Sequence, residues 1–209
     1  MKIGKLKRWI LVCMVIALIV IMLPVVPGSV EANAGNASVL YIKDAPGAET
    51  KTVTEDMSVS ANGWSWDADT ATLTLNGFDG EYIEAGGDIN IVLAGVNTLT
   101  LPAAPDASSV CGIKSSGAIN ITGDGEEDTL TVTQTGFTRG DVYVTGIGAD
   151  TNLTITDCKV AVNFSAADSG NEIGYYQRVG LAGSSGSTYV TGCASLDIDI
   201  TENNYSVTG

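Results

Sequence analysis

The sequence predicts an all-β fold: a single-stranded right-handed parallel β-helix with three short strands per coil and about four coils. Three observations carry this. One motif returns at near-equal intervals, each returning segment alternates apolar and polar residues, and nothing beyond Ala34 repeats at helical spacing.

The motif is clearest in "YIEAGGDINIVLAG", which returns as "GIKSSGAINITGDG" from Gly112, "GIGADTNLTITDCK" from Gly146 and, more loosely, "GLAGSSGSTYVTGC" from Gly180. Its anchors are Ile83, Ile113, Ile147 and Leu181, each following the last by a little over thirty positions or just thirty. A second aliphatic follows eight positions later at Ile91, Ile121 and Ile155, and nine later at Val190. A third apolar pair closes each unit: Leu99 and Leu101, Leu130 and Val132, Val160 and Val162, Leu196 and Ile198. Leu73 and Leu75 read as the same third element of an earlier, incomplete unit. Between these segments lie Gly, Asn, Asp and Ser, which tolerate tight turns. A hairpin would account for Gly87–Leu101 alone, whereas stacked coils also account for its return. Right-handedness follows from the general chirality of parallel connections.

Residues 35–69 are expected to cover the first coil, since an open solenoid end exposes apolar interior and unpaired backbone. Trp64 and Trp66, on either side of Ser65, are placed at that seal. Coils are assigned to residues 70–209. The sequence stops just after a strand, which predicts a coil stack that is incomplete or finished by another subunit.

The chain opens with a basic head, "MKIGKLKRW", an apolar run interrupted by Pro24 and Pro27, and Ala32-Asn33-Ala34. This pattern predicts an export signal over residues 1–34, in preference to a retained anchor helix, and hence a secreted, cell-surface-associated protein. Its removal leaves residues 35–209, in which six Lys or Arg face 23 Asp or Glu, a formal charge of −17. Such a chain repels nucleic acid and anionic membranes, and an acidic glycan would need bridging cations. The sequence holds no histidine, which removes His-based triads and His-ligated metals. Acid pairs for glycoside hydrolysis cannot be chosen among 23 candidates without geometry.

Stacking turns the repeat into columns. Cys158 and Cys193 each follow a second-strand aliphatic by three positions, so they share a column, either as buried thiols or as an inter-coil disulfide. Cys111 stands apart. Glu84 and Lys114 are expected to pair across coils, and Asn90 and Asn120 to form an amide ladder. Thr72 and Thr74, Thr98 and Thr100, and Thr129 and Thr131 form a threonine grid that superficially resembles an ice-binding surface. Only three rows survive, so the grid reads as ordinary outward strand residues.

Two segments carry candidate chemistry. "TGDGEEDTL" gathers Asp124, Glu126, Glu127 and Asp128 in one loop, either an oxygen set for calcium or simply a solvated acidic turn. "ADSGNEIGYYQR" is read as a long loop insertion in which Tyr175, Tyr176 and Arg178 either contact a sugar or cover a coil edge.

The segments "GWSWDADTATLTLNGFDGEYIEAGGDINIVLAGVNTLT" and "GIKSSGAINITGDGEEDTLTV" resemble a repeat in large secreted and surface proteins of Gram-positive anaerobes. The same pattern is similar to the carbohydrate-binding β-helix family of the pectate-lyase-like superfamily. That resemblance implies a right-handed three-faced solenoid that binds polysaccharide, an acidic plant glycan among the candidates, with Ca2+ as the one candidate cofactor. It argues against lyase activity. The only arginines after the signal are Arg139 and Arg178, both read as loop residues and neither in the Arg-x-Pro setting of a pectate lyase. The expected function is therefore a non-catalytic carbohydrate-binding domain, the alternative being a structural or adhesive surface module.

Overall fold

Period-two alternation puts every second side chain on one face of an extended chain, so burial of that face fixes strand register. The computed structural model describes residues 35–102, 109–135, 142–165, 176–183, 185–192 and 194–201; the expected signal and Tyr175 lie outside these. In chain order, β1 (Leu40–Lys43), β2 (Lys51–Val53), β3 (Met57–Val59), β4 (Trp64–Asp67), β5 (Thr72–Asn76) and the two-residue β6 (Asp79–Gly80) come first. Four triplets follow. They are β7 (Tyr82–Ala85), β8 (Ile89–Ala94), β9 (Val96–Leu101); then β10 (Ser109–Ser115), β11 (Ile119–Thr122), β12 (Thr129–Thr135). The last two are β13 (Val142–Ala149), β14 (Leu153–Thr156), β15 (Lys159–Ser165) and β16 (Tyr176–Gly183), β17 (Thr188–Thr191), β18 (Ser195–Thr201). The protein is all-β, with no α-helix among the described residues.

Each triplet gives one strand to each of three sheets. Their orders are β16-β13-β10-β7-β1-β2, β17-β14-β11-β8-β5-β4-β3 and β18-β15-β12-β9-β6. Neighbours within the triplets are parallel, and antiparallel pairing is confined to the N-terminal strands. Ile83, Ile113, Ile147 and Leu181 are in register, as are Ile91, Ile121, Ile155 and Val190. The first three of each row are fully buried. Burying each such side chain contributes roughly 1.5–3 kcal/mol.

Two assignments in the third strand change. Leu73 and Leu75 belong to the second sheet, opposite Ile91 and Leu93, and not to the third. The physical reason lies upstream: β4 folds back on β5 and sets Trp66 and Trp64 opposite Leu73 and Leu75, leaving Phe78 and β6 to start the third sheet. Leu99 lies opposite Val132, not Leu130, because Asn97 takes the inward position facing Leu130. The threonine grid shifts accordingly. Thr98 and Thr100 meet Thr131 and Thr133, while Thr72 and Thr74 lie on another sheet.

Gly112, Gly146 and Gly180 head the repeats and fall in one column of the first sheet. A Cβ on Gly146 would lie 2.6 Å from the Gly180 carbonyl oxygen and 2.6 Å from Val162 Cγ1. The missing side chains therefore let the first and third sheets touch.

At the N-terminal end β1 runs antiparallel to β7, and Leu40, Ile42, Trp64 and Trp66 are buried. Gly63 makes the β4 hairpin possible: its φ is +70°, and a Cβ there would meet the Asn76 carbonyl oxygen at 2.5 Å. Asp44, also buried, ties these pieces together. Its carboxylate accepts hydrogen bonds from Lys51 Nζ and from Trp64 Nε1 (2.9 Å), and Lys51 Nζ sits 5.9 Å from the Trp64 ring centroid. Burial pushes the Asp44 pKa up, but the bonds from Lys51 and Trp64 outweigh it and hold it below the usual value. A depressed folded pKa gives stability that is present above the unfolded carboxyl pKa of about 4 and is lost as pH falls through the folded one. Asp44→Asn is expected to cost about 1–3 kcal/mol at pH 7. It should also shrink the acid-induced fall in stability below about pH 4, measured by denaturant titration across pH.

Candidate functional site

Among the described residues, the outer face of the second sheet is the longest uncharged polar surface that register builds. Outward residues alternate with the buried aliphatics, so each strand adds one residue to each of two rows. One row is Thr72, Asn90, Asn120, Thr154 and Tyr189; the other is Thr74, Val92, Thr122, Thr156 and Thr191. With strands about 4.8 Å apart, five of them span about 19 Å. Asn120 Nδ2 donates to Asn90 Oδ1 at 3.2 Å, so the expected amide ladder is present. Asn90 Nδ2 donates in turn to the Thr70 carbonyl at 3.2 Å. Thr156 and Thr191 hydroxyls lie 3.0 Å apart. These bonds order the rows, and amides and hydroxyls offer both donors and acceptors to a polar ligand. Tyr189 ends its row 52 % exposed, an aromatic surface beside the hydrogen-bonding groups.

Tyr189 is the residue that reading for motifs missed. The signal was present in the register: Asn90, Asn120, Thr154 and Tyr189 each stand one position before the second-strand aliphatics Ile91, Ile121, Ile155 and Val190.

The four acids of the second-to-third-strand loop are not gathered on one point. Asp128 uses both carboxylate oxygens on backbone N–H groups, Oδ1 accepting from Gly95 and Oδ2 from Asp124, each at 2.7 Å. The bonds from Asp124 and then Gly95 hold its pKa below the ordinary aspartate value. Asp128 thus clasps its own turn to the preceding unit. Glu126 reaches Lys159 Nζ at 3.1 Å, an exposed pair of small energetic weight. Among the described residues, Asp124 and Glu127 make no such contact with a cation. Among the described residues, no group of three or more Cys, Asp or Glu side chains is placed to hold a metal ion.

Tyr175 lies outside the described residues, as does Arg139. Tyr176 and Arg178, expected in a loop, are strand residues of β16 paired with Val142 and Val144 of β13. The extension of β13 to eight residues supplies the edge that draws them into the sheet.

Glu84 and Lys114 pair at 3.3 Å, as the columns predict. Cys158 is a buried free thiol whose pKa burial pushes up to about 11; its expected column partner, Cys193, lies outside the described residues. Cys111 donates its S–H to the Ile113 carbonyl at 3.0 Å, and burial raises its pKa to about 12. Neither thiol forms appreciable thiolate at neutral pH.

Comparison with protein-family models, with curated proteins and with solved structures gives no match.

Proposed function

We propose that the chain is an exported, non-catalytic polysaccharide-binding module wound as a right-handed single-stranded parallel β-helix. One observation carries the ligand reading: the uncharged double row on the second sheet that ends at Tyr189. A pyranose chain presents hydroxyls that both give and accept hydrogen bonds, and apolar ring faces that stack on aromatic rings. Asn90, Asn120, Thr154 and Tyr189 offer complementary groups along one line. The winding is supported by the recurrence of one strand per sheet in each of four triplets, and the handedness by the chirality of parallel connections. The resemblance to carbohydrate-binding β-helices agrees with both. Since these rows carry no charge, the favoured ligand is a neutral glycan, not an acidic one bridged by calcium.

The hydrogen bonds among the row's own side chains favour one further reading, a structural surface module in which the ladder only stiffens the sheet. Retention on immobilised neutral and acidic polysaccharides, with calcium and with a chelator, separates the two. The proposed function expects chelator-insensitive binding to a neutral glycan, weakened about 3- to 10-fold by Tyr189→Ala. Absence of retention on every polysaccharide would leave the structural reading. Binding only to acidic glycan with calcium would move the site to the acidic loops.

A further inference from the structure

When glycine follows asparagine, the side-chain amide is open to attack by the next backbone nitrogen, because no Cβ blocks the approach. The sequence holds two such pairs, Asn62-Gly63 and Asn76-Gly77. The fold sets them side by side, since the Asn76 N–H donates to the Gly63 carbonyl at 2.7 Å. It holds them very differently. Asn62 is half-buried, and its Nδ2 donates to the Asp44 carbonyl at 3.2 Å. The Gly63 N–H donates to the Ser60 carbonyl at 3.3 Å, and Gly63 is buried against the backbone of Asn76 and Gly77. Asn76 and Gly77 are both exposed, and the space where a Gly77 Cβ would stand is open. Among the described residues, neither the Asn76 side-chain amide nor the Gly77 N–H makes a hydrogen bond. Gly77 lies past the last residue of β5 and before β6, outside any ladder.

We propose that Asn76 is a self-modification site, at which spontaneous deamidation yields aspartate and isoaspartate in the folded protein. The Gly77 nitrogen gives up its proton to solvent and bonds to Asn76 Cγ. The Cγ–Nδ2 bond breaks, ammonia leaves, and a cyclic succinimide remains. Water then opens the ring at one of its two carbonyl carbons, and no oxidant or reductant is consumed. Opening at Cγ gives aspartate. Opening at the backbone carbonyl carbon gives isoaspartate, with the chain rerouted through the side-chain methylene. Both products put a carboxylate on the outer face of the second sheet, where Asn76 follows Thr72 and Thr74 along β5 and stands opposite Ala94. Isoaspartate also lengthens the backbone just before Phe78, whose N–H donates to Asn97 Oδ1 where the third sheet begins. At Asn62 the same reaction must first break the bonds to Asp44 and Ser60, so local opening limits it.

Incubation of the folded chain in mildly alkaline buffer, followed by peptide mapping with mass spectrometry, tests this. A gain of about 1 Da is expected at Asn76, accumulating at least about 10-fold faster than at Asn62. In urea, where neither pair is held, the two sites should convert at rates within about 3-fold of each other. Asn76→Gln lengthens the side chain by one methylene and disfavours the ring. It should remove the main acidic variant seen on native anion exchange while leaving the circular dichroism spectrum unchanged. Asn62→Gln should leave that variant in place. Equal rates at the two sites in the folded chain, or faster conversion at Asn62, would overturn the proposal. So would an Asn76 that converts in urea but not when folded, or a main acidic variant that survives Asn76→Gln.

Discussion

Gly146→Val is expected to lower the unfolding free energy by at least about 3 kcal/mol, seen as a fall of roughly 6–12 °C in thermal midpoint. The Cβ alone would stand 2.6 Å from a backbone oxygen of Gly180 and 2.6 Å from Val162 Cγ1. Neither can retreat cheaply. The first belongs to the strand paired with β13, and the second to a fully buried β-branched residue. Relief requires the first and third sheets to part, which also opens the contacts of Gly112 above and Gly180 below. Gly148→Ala is the control. It lies two positions along the same strand, where a Cβ would find its nearest neighbour at 3.5 Å. That change should be close to neutral, within about 1 kcal/mol. A similar midpoint for both variants would mean that the sheets do not meet at the glycine column.

Asn97→Ala is expected to cost about 2–4 kcal/mol by denaturant titration. Asn97 is fully buried at the bend between the second and third sheets. Its Oδ1 accepts from the Phe78 N–H at 3.0 Å, and its Nδ2 donates to the carbonyls of Gly95 and Thr129, both at 3.2 Å. Truncation leaves the buried Phe78 N–H without its partner and a small void beside Leu130. Asn97→Leu separates these effects. Leucine restores an apolar residue to the row continued by Leu130 and Val160, but still orphans the Phe78 N–H. Its cost should fall between wild type and alanine. If leucine were as stable as asparagine, the hydrogen bonds would contribute nothing net at this bend.

Much of this fold can be read from spacing alone. Ile83, Ile113 and Ile147, or Ile91, Ile121 and Ile155, recur with turn residues between them, and a slip of one position would turn each row to solvent. Such rows are legible because burial punishes any other register. The third strand is harder to read. A leucine pattern alone cannot show that Asn97, a polar residue, holds an inward position, because its hydrogen bonds come from groups remote in sequence. Leu73 and Leu75 mislead for a related reason. Their sheet is decided by the Trp64–Asp67 strand folding back on them, a tertiary event with no local signature. The acids of the 124–128 loop look alike in sequence, yet geometry gives Asp128 to two backbone amides and Glu126 to Lys159. Tyr189 can be found only after the columns are drawn, because a single exposed tyrosine carries no motif.

The one-strand-per-sheet rhythm has an evolutionary consequence. One repeat unit, such as the span from Ile83 to Gly112, returns the backbone to the same position one strand further on. Tandem duplication of such a segment would lengthen all three sheets together without altering any existing turn, and loss of one would shorten them equally. Descendants of such a gene could therefore grade their reach in increments of about 4.8 Å, like marks on a ruler, while keeping the same end pieces.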